Sequence, residues 1–378
     1  MKRFTALLVL LPAVSLQAAE TPKLRATDVS FRHEIQRAIE KGNDFLQSSQ
    51  NSAGWWSTPD HPSVTALALS AMMGEPNARL KNSAEVKKGY AYVLSCAQPD
   101  GSIYVTNLQN YNTSISMMAL LAAGEPRYDT VLRRARAYVV GSQVDLGEKG
   151  RLDTPYDGGV GYGSKYPHSD MNNTLTALEA LHYSKHLVQD QPGAKELNWA
   201  AAARFLEQCQ QLPSNKQDWV SQDAKDRGGF VYYPGNSMAG GVTNASGMVA
   251  LRSYGSISYA GLLSYIYADV KQSDPRVQAV MDWLRANYSL EENPGMGPQG
   301  YFYYLHLMTK ALNAARVESF DVKDGTKVDW RRDVAMRLIN LQKSDGSWQN
   351  DNGRWWEKDS NLVTAYAVLS LEMIYRGM

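Results

Sequence analysis

The chain has 378 residues and is nearly neutral, with 39 lysines and arginines against 38 aspartates and glutamates. It contains no run of basic residues, so nucleic acid is a poor candidate partner. Only two cysteines are present, Cys96 and Cys209, which excludes a cysteine-rich zinc or iron–sulfur site. The length exceeds that of a typical domain, although repeat architectures and barrels reach this size as one unit.

The first residues have the pattern of a secretory signal peptide. Lys2 and Arg3 precede a mostly apolar run over residues 4–16, and Ala18 is a small residue at a plausible cleavage point. The run is too short to span a bilayer, and no later segment resembles a transmembrane segment. We therefore predict a signal peptide over residues 1–18, one domain over 19–378, and export to the periplasm or the exterior. An uncleaved anchor is the alternative.

A pattern of a helix, a glutamine and a following glycine recurs along the chain. It is clearest over residues 41–56, and its marker glycines are Gly54, Gly101, Gly159, Gly229, Gly300 and Gly346. Intervals of 46 to 71 residues between these glycines indicate six copies of one helix–loop–helix unit with loops of different length.

The two helices of each unit differ in character. The first is amphipathic, and we predict these helices near 31–48, 83–97, 128–143, 195–210, 275–288 and 328–342. The second is apolar nearly all round, as in residues 63–73, 113–121, 173–181, 258–263, 305–312 and 363–371. A helix that is apolar on every side is buried on every side. The pattern therefore predicts one half-exposed outer helix and one buried inner helix per unit.

Six such pairs predict an all-α fold, a closed α/α toroid, that is, a double-layered (α/α)6 barrel. Open arrays such as tetratricopeptide repeats fit less well, because their period is about 34 residues and both helices keep an exposed face. The recurring glutamine and tryptophan are interpreted as residues that join one repeat to the next. Cys96 and Cys209 fall late in two outer helices, which favours two separate buried thiols.

Residues 41–56 resemble the QW motif of squalene–hopene and oxidosqualene cyclases. Lys41, Gly42, Phe45-Leu46, Gln50 and Gly54-x-Trp56 match the motif, and the other copies match in part. Through its repeats, the chain is similar to the prenyltransferase and squalene-cyclase (terpenoid cyclase) superfamily over almost all of its mature length. The resemblance implies an α/α toroid but does not by itself imply a reaction.

The acid motif of triterpene cyclases is only partly present. Those enzymes carry Asp-x-Asp-Asp-Thr-Ala, and the segment that resembles it begins at Asp170 and retains Thr174. Its proton-donor position is Asn172, and an amide cannot protonate an alkene. The chain is also about half as long as the two-domain triterpene cyclases. Asp170 remains as a candidate catalytic acid.

The resemblance to protein prenyltransferases does not extend to their zinc site. Those enzymes bind zinc through Asp, Cys and His, whereas residues 252–259 contain no cysteine and the other ligand-like position is Tyr304. His182 and His186 have an i, i+4 spacing, for which a role at a helix carboxyl end is simpler than zinc. We predict neither a metal nor a cofactor.

Two sets of residues could form a ligand site at one end of the toroid. The first is polar, lies at the starts of the inner helices, and consists of Asp60, His61, Asn112, His168, Asp170, Asn172, Asn173, Asp359 and Asn361. The second is aromatic and includes Trp56, Trp356, Tyr254 and Tyr304, with Tyr232-Tyr233 and residues 301–303 near them. The alternatives are that the polar residues are helix N-caps and that the aromatic residues fill gaps between loops.

Three functions remain open. The first is binding of an apolar small molecule, a glycan or a polypeptide in the central cavity, without the superfamily's cyclase or zinc chemistry. The second is a terpenoid cyclase-like or transferase-like enzyme that uses another acid such as Asp170. The third is a glycan-acting (α/α)6 enzyme, which would need two carboxylates across a groove, drawn from Asp60, Asp157 and Asp170.

Overall fold

A computed structural model describes residues 26–163, 166–243 and 247–378. The predicted signal peptide lies outside these residues. Within them, no helix combines the length and the apolar character needed to cross a membrane.

Twelve α-helices alternate between an outer and an inner layer in the described part of the chain. The outer helices are α1 (Ala26–Ser49), α3 (Ala84–Ser95), α5 (Asp129–Gly141), α7 (Trp199–Cys209), α9 (Pro275–Ala286) and α11 (Trp330–Leu341). The inner helices are α2 (Pro62–Gly74), α4 (Gln109–Ala123), α6 (Met171–Tyr183), α8 (Gly255–Tyr267), α10 (Tyr301–Ala314) and α12 (Ser360–Gly377). The predicted all-α fold of six helix–loop–helix repeats is confirmed.

The inner helices form a closed ring. Each packs against the next in chain order, and α12 packs against α2. Helix α1 contacts both α11 and α12, so the two ends of the chain meet. The side chains of Ser49 and Asn361 share a hydrogen bond of 2.6 Å across this closure. The inner ring is almost wholly buried, in agreement with its unbroken apolar sequence.

Short β-strands and 3₁₀ turns lie in the loops between the helices. Strands β1 (Gly241–Thr243) and β2 (Val249–Leu251) pair antiparallel, and so do β3 (Phe320–Asp321) and β4 (Lys327–Val328). Single 3₁₀ turns occupy Pro126–Tyr128, Lys185–Leu187 and Arg354–Trp356.

A repeated joint fastens each outer helix to its neighbours. In four joints, a glutamine side chain donates two hydrogen bonds of 2.7–3.0 Å. One goes to the carbonyl of the joint glycine, and the other goes to a carbonyl of the next outer helix or of its N-cap. These glutamines are Gln50, Gln143, Gln210 and Gln342.

In five joints, the backbone N–H two residues after the glycine donates to a hydroxyl of an inner helix. These hydroxyls belong to Thr65, Thr113, Thr174, Ser258 and Thr364. Trp56 and Trp348 add indole N–H bonds to the carbonyls of Leu46 and Leu338, both at 2.7 Å. The structure thus supports the interpretation of glutamine and tryptophan as joining residues.

The joint glycines differ from the predicted markers in three copies. Gly158 and Gly228, rather than Gly159 and Gly229, have positive φ and approach the next outer helix. Gly300 is no joint glycine, because it is the N-cap of α10 and lies beside the ring of Trp355. The predictions were displaced because adjacent glycines look alike in sequence, whereas only one of each pair requires the left-handed conformation.

The structure supports the N-cap interpretation for only two of the inner helices. Asp170 accepts a backbone N–H bond at the start of α6, and Asp359 accepts two at the start of α12. The N-caps of α2, α4, α8 and α10 are His61, Leu108, Tyr254 and Gly300, and none of them makes a side-chain cap bond. For α2 and α8, an asparagine of another segment supplies the missing acceptor, as described below.

Cys96 and Cys209 are separate buried thiols, as their positions in two outer helices predicted. Cys96 is the C-cap of α3 and Cys209 is the last residue of α7.

Candidate functional site

A cavity of about 240 Å³ lies where the inner helices begin, and we call it the amino-end chamber. Its wall is mostly apolar and aromatic, with a few polar groups. The aromatic lining residues are Tyr111, Tyr162, Tyr232, Tyr254, Tyr303, Tyr366, Trp355 and Trp356, and the polar ones include His61, Asn172 and Glu357. A concave apolar surface with a few convergent polar groups is typical of a small-molecule site.

Two tryptophans lie in the wall of this chamber and remain exposed. Trp355 and Trp356 are 44% and 50% exposed, and both have left-handed backbone angles, with φ of 52° and 66°. Such angles cost about 1–3 kcal/mol in a residue other than glycine, so surrounding contacts must hold them. The Arg354 guanidinium lies 4.5 Å from the centre of the Trp355 ring, and the Trp356 ring lies 5.1 Å from that of His61. These contacts hold Trp355 and Trp356 in place at the rim of the amino-end chamber.

The surroundings of His61 favour the neutral form of its imidazole. Burial lowers the pKa of its imidazole, and the charge of Asp60 only partly opposes this. Its Nδ1 atom is buried and has no hydrogen-bond partner among the described residues. The ring therefore offers a neutral hydrogen-bonding atom at the rim.

Three tyrosines separate this chamber from a second cavity farther along the axis. Tyr111, Tyr303 and Tyr366 line both cavities. The Tyr303 and Tyr366 rings are 5.6 Å apart, and the Tyr303 hydroxyl donates to Oδ1 of Asn172. Burial raises the pKa of both phenols well above the usual value, so both remain protonated hydrogen-bond donors.

Asp170 lies behind the chamber wall. Its carboxylate accepts the backbone N–H of Asn173 at 2.9 Å and the Asn173 side-chain amide at 2.7 Å. Burial raises its pKa to about 6, and the Asn173 bonds oppose that shift. Asn172 follows two residues later, and its side chain lines the chamber. The Asn172 amide therefore faces the cavity, whereas the Asp170 carboxyl group is held by Asn173 and lies beside the Tyr232 hydroxyl.

Glu357 is the carboxyl group that lines the amino-end chamber. One oxygen accepts the Tyr303 backbone N–H at 2.8 Å, and the other accepts the Asn350 amide at 2.6 Å. Burial raises its pKa, and the bond from Asn350 opposes this. Glu357 thus caps α10, the helix whose own N-cap is a glycine.

The structure brings six of the sequence-predicted residues together in this chamber: His61, Asn172, Tyr232, Tyr254, Tyr303 and Trp356. Trp56 is fully buried in a repeat joint and lies outside the chamber wall. Tyr304 packs against Tyr259 and donates to the Ser289 carbonyl at 2.9 Å, while its neighbour Tyr303 faces the cavity.

The remaining predicted residues make local structural contacts. Asp60 is exposed and bonds to Thr58, and the His168 ring lies 4.4 Å from that of Tyr233. Asn361 bonds to Ser49 and Ser57 across the ring closure. Asn173 and Asp359 take part in the helix caps described above, and none of these residues lines the chamber.

Asn112 acts across the ring rather than on a ligand. Its side-chain oxygen accepts the Ser63 backbone N–H of α2 at 3.1 Å. Asn293 does the same for Ser256 of α8 at 2.9 Å. These asparagines therefore supply the caps that the starts of α2 and α8 lack.

Comparisons with known proteins agree with this fold. No protein-family model matches the chain. Alpha-onocerin synthase LCD of Lycopodium clavatum is 30% identical over an alignment of 146 residues that covers 34% of this chain and 18% of that protein. The chain thus covers less than a fifth of this curated relative.

Solved structures cover nearly the whole chain. The type II terpene cyclase MstE from Scytonema superposes with a TM-score of 0.55 at 13% identity, over 92% of this chain and 99% of that one. Together with the partial match to alpha-onocerin synthase, this shared fold confirms the predicted resemblance to terpenoid cyclases. A family 76 glycoside hydrolase from a bovine Bacteroides thetaiotaomicron strain gives a TM-score of 0.56 at 11% identity, over 89% of this chain and 77% of that one. At these identities the solved structures show the fold alone.

Sequence reasoning missed Tyr111, Tyr162, Tyr366 and Glu357. The signal for Tyr111 and Tyr366 was an aromatic residue in the first two turns of an inner helix that continues mainly with small and apolar residues. Glu357 gave no comparable signal, because it lies in a loop and reaches α10 only in three dimensions.

Metal ligands do not cluster in the described part of the chain. No group of three or more His, Cys, Asp or Glu side chains there is placed to hold an ion. His182 and His186 instead lie near the carbonyls of Tyr267 and Tyr183.

Proposed function

We propose that the protein binds a slender, mostly apolar small molecule in the amino-end chamber and does not carry out proton-initiated cyclisation. The observation that carries this proposal is the aromatic wall, into which the Asn172 amide projects at the place expected for an acid. The volume of about 240 Å³ is slightly below the roughly 300–1,000 Å³ of common ligand pockets. A narrow ligand with one polar end suits such a space.

The carboxyl groups near the chamber argue against cyclisation. Protonation of an alkene needs a strong acid. Burial raises the pKa of both Asp170 and Glu357, which makes them weaker acids, and both are engaged in hydrogen bonds. Neither has the properties that the reaction requires.

The ligand class follows from the wall and from one similar structure. A variant of the Scytonema cyclase has been solved with its substrate, geranylgeranyl dihydroxybenzoate, and superposes with a TM-score of 0.54. By analogy, we propose a prenyl chain that carries a hydroxyl or a phenol. The chain would lie against Leu67, Ile257 and Leu362, and the polar end would meet His61 or Asn172. If the predicted signal peptide is used, this binding takes place outside the cytoplasm.

A terpenoid enzyme that uses Asp170 is the second candidate. Its support is the position of Asp170, which begins the segment that resembles the cyclase acid motif and lies two residues before Asn172. A glycan-acting enzyme has less support, although the glycoside hydrolase shares the fold. Asp157 accepts the N–H groups of Leu146 and Thr154 within its own loop, and neither it nor Asp60 lines the chamber.

Calorimetric titration with farnesol, geranylgeraniol and a mannose oligosaccharide tests the proposal. We expect saturable binding of the prenyl alcohols alone. Trp356→Ala should weaken it about tenfold, because an aromatic contact at the rim is lost. Tyr183→Ala is the matched control, since Tyr183 is equally exposed but lies at the far end of α6.

Mass spectrometry of the same mixtures separates binding from turnover. Recovery of unchanged alcohol supports the binding function. A cyclised product that disappears in Asp170→Asn would replace it with the enzymatic candidate. Absence of prenyl-alcohol binding, or equal weakening in both aromatic variants, would contradict the proposed site.

A further inference from the structure

The second cavity lies at the carboxyl ends of the inner helices, and we call it the carboxyl-end chamber. Its volume is about 390 Å³, and α2, α4, α6, α10 and α12 line it, α2 and α12 as far as their last turns. Most of the wall is apolar. Its polar lining residues are Ser70, Thr176, Glu179, His306, Lys310, Glu372 and Arg376.

Two glutamates of this chamber have opposite surroundings. Glu179 accepts the Tyr267 hydroxyl at 3.1 Å and the Lys310 ammonium at 2.6 Å. Glu372 is fully buried, and neither of its carboxyl oxygens has a hydrogen-bond partner among the described residues. Its nearest cation is Arg376, whose guanidinium is 3.9 Å away and more than half exposed.

The backbone makes room for the Glu372 carboxyl group. A Cβ atom at Gly74 would lie 1.9 Å from a Glu372 oxygen, so a larger residue at this end of α2 would displace the carboxyl group. The Arg376 side chain, meanwhile, donates to the Gly74 carbonyl at 3.1 Å. The Glu372 carboxyl group therefore has space beside Gly74 but no hydrogen-bond partner among the described residues.

Such a group is costly unless something occupies the cavity. A buried carboxyl group without a partner costs about 1–3 kcal/mol or more, and most buried polar groups in proteins are bonded. Burial raises the pKa of Glu372 well above its usual range, Arg376 opposes this, and Glu75 reinforces it. An unpartnered acid on a chamber wall is thus a candidate ligand contact.

The surroundings of the chamber favour a cation. The last turns of α2, α4 and α12 line it, and the carboxyl end of a helix carries partial negative charge. Lys310 is paired with Glu179, and burial lowers the pKa of His306 well below its usual value, so the imidazole is neutral. The rings of Tyr111, Tyr303 and Tyr366 also line the chamber, and aromatic rings attract cations that lie over them.

We propose that the carboxyl-end chamber binds the ammonium group of an apolar amine, with Glu372 as its carboxylate partner. The alkyl part would lie against Met118, Leu307 and Leu369. This site is separate from the prenyl-alcohol site, and it stands whether or not the amino-end chamber binds its own ligand.

Titration with hexylamine, 1-hexanol and hexanoate at pH 7.5 tests the proposal, because the three probes differ mainly in their end groups. We expect hexylamine to bind at least about tenfold more tightly than the alcohol, and hexanoate to bind weakest. Glu372→Gln should weaken hexylamine binding at least about tenfold and leave the alcohol unchanged. Glu357→Gln, the same change at a fully bonded buried acid of the other chamber, should have no effect on the amine.

Other results would overturn the site. Equal binding of alcohol and amine would make Glu372 a neutral donor, and loss of amine binding in Glu357→Gln would move the amine to the other chamber. Absence of binding by all three probes would leave water as the occupant. If Glu372→Gln does not fold, Ala122→Trp replaces it, since Ala122 lies on the exposed part of the wall and an indole there should weaken hexylamine binding. Unchanged binding in that variant would also contradict the proposal.

Discussion

The joints between repeats and the walls of the two chambers follow different rules. The joints use the same atoms in successive copies, with a glycine against the next outer helix and a hydroxyl that accepts a backbone N–H. The walls use different residues in every copy, such as His61 in α2's cap, Asn172 in α6 and Tyr303 in α10. The repeated residues therefore hold the ring together, and the residues that differ between repeats form the walls of the chambers.

Thr174 shows why this distinction matters. By resemblance it belongs to the acid motif of triterpene cyclases, yet its hydroxyl accepts the Val160 N–H at 2.9 Å as Thr65 and Thr364 do in their joints. Its retention therefore reflects assembly of the ring. It carries no information about chemistry at Asp170.

The largest effect should come from breaking the joint that closes the ring. Gly346 has a φ of 89°, and a Cβ atom there would lie 2.3 Å from the Lys41 carbonyl oxygen. Gly346→Ala should lower the free energy of unfolding by about 3 kcal/mol, through left-handed strain and a backbone clash. Chemical denaturation followed by circular dichroism measures this.

Gly124→Ala is the matched control for that variant. Gly124 also has a positive φ, of 63°, but a Cβ atom there would meet no atom of the described residues within 4 Å. It should cost only about 1 kcal/mol, from backbone strain alone. Equal losses in the two variants would show that the joint contact contributes nothing to stability.

Much of the fold could be predicted because its causes are local and repeated. Apolar periodicity separated inner from outer helices, and the Gln–Gly spacing located the joints to within a residue. The fifth joint is the exception, since Gly300 follows α9 at the expected place but caps α10. Its role depends on the Trp355 ring, which comes from the next loop.

The site was less predictable because its contacts span distant segments. Tyr303 and Tyr304 are adjacent and chemically identical, and only the rotation of α10 decides which one faces the cavity. In the sequence, Glu372 is one acidic residue in an apolar helix. The space that its unpartnered carboxyl group occupies depends on Gly74, about three hundred residues earlier in the chain. No local pattern contains that information.

A smaller effect should appear at Asp170, where the helix cap meets the chamber wall. Its folded pKa of about 6 lies above the unfolded value of about 3.9, so the fold favours the neutral form. The stability gained from protonation is fully present below about pH 4 and is lost as the pH rises through about 6. Relative to Asp170→Asn, the wild type should lose roughly 2–3 kcal/mol between pH 4 and pH 7.

Unfolding free energies of both proteins across this pH range check the expectation. Asp359→Asn makes the same substitution at the other aspartate cap and measures the effect of altering a cap itself. A pH-independent difference between wild type and Asp170→Asn would show that the carboxyl group is not held in its neutral form by burial.

The smallest effect, and the most direct comparison of wall with packing, is between two neighbouring tyrosines. Tyr304→Phe removes a buried bond to the Ser289 carbonyl and should cost about 1 kcal/mol of stability without changing farnesol affinity. Tyr303→Phe removes the hydroxyl that occupies the Asn172 oxygen, and solvent or ligand in the chamber can replace it. Farnesol should then bind about threefold more tightly, because its hydroxyl can donate to that oxygen. The converse pattern, with affinity changed only in Tyr304→Phe, would mean that α10 presents its other face to the ligand.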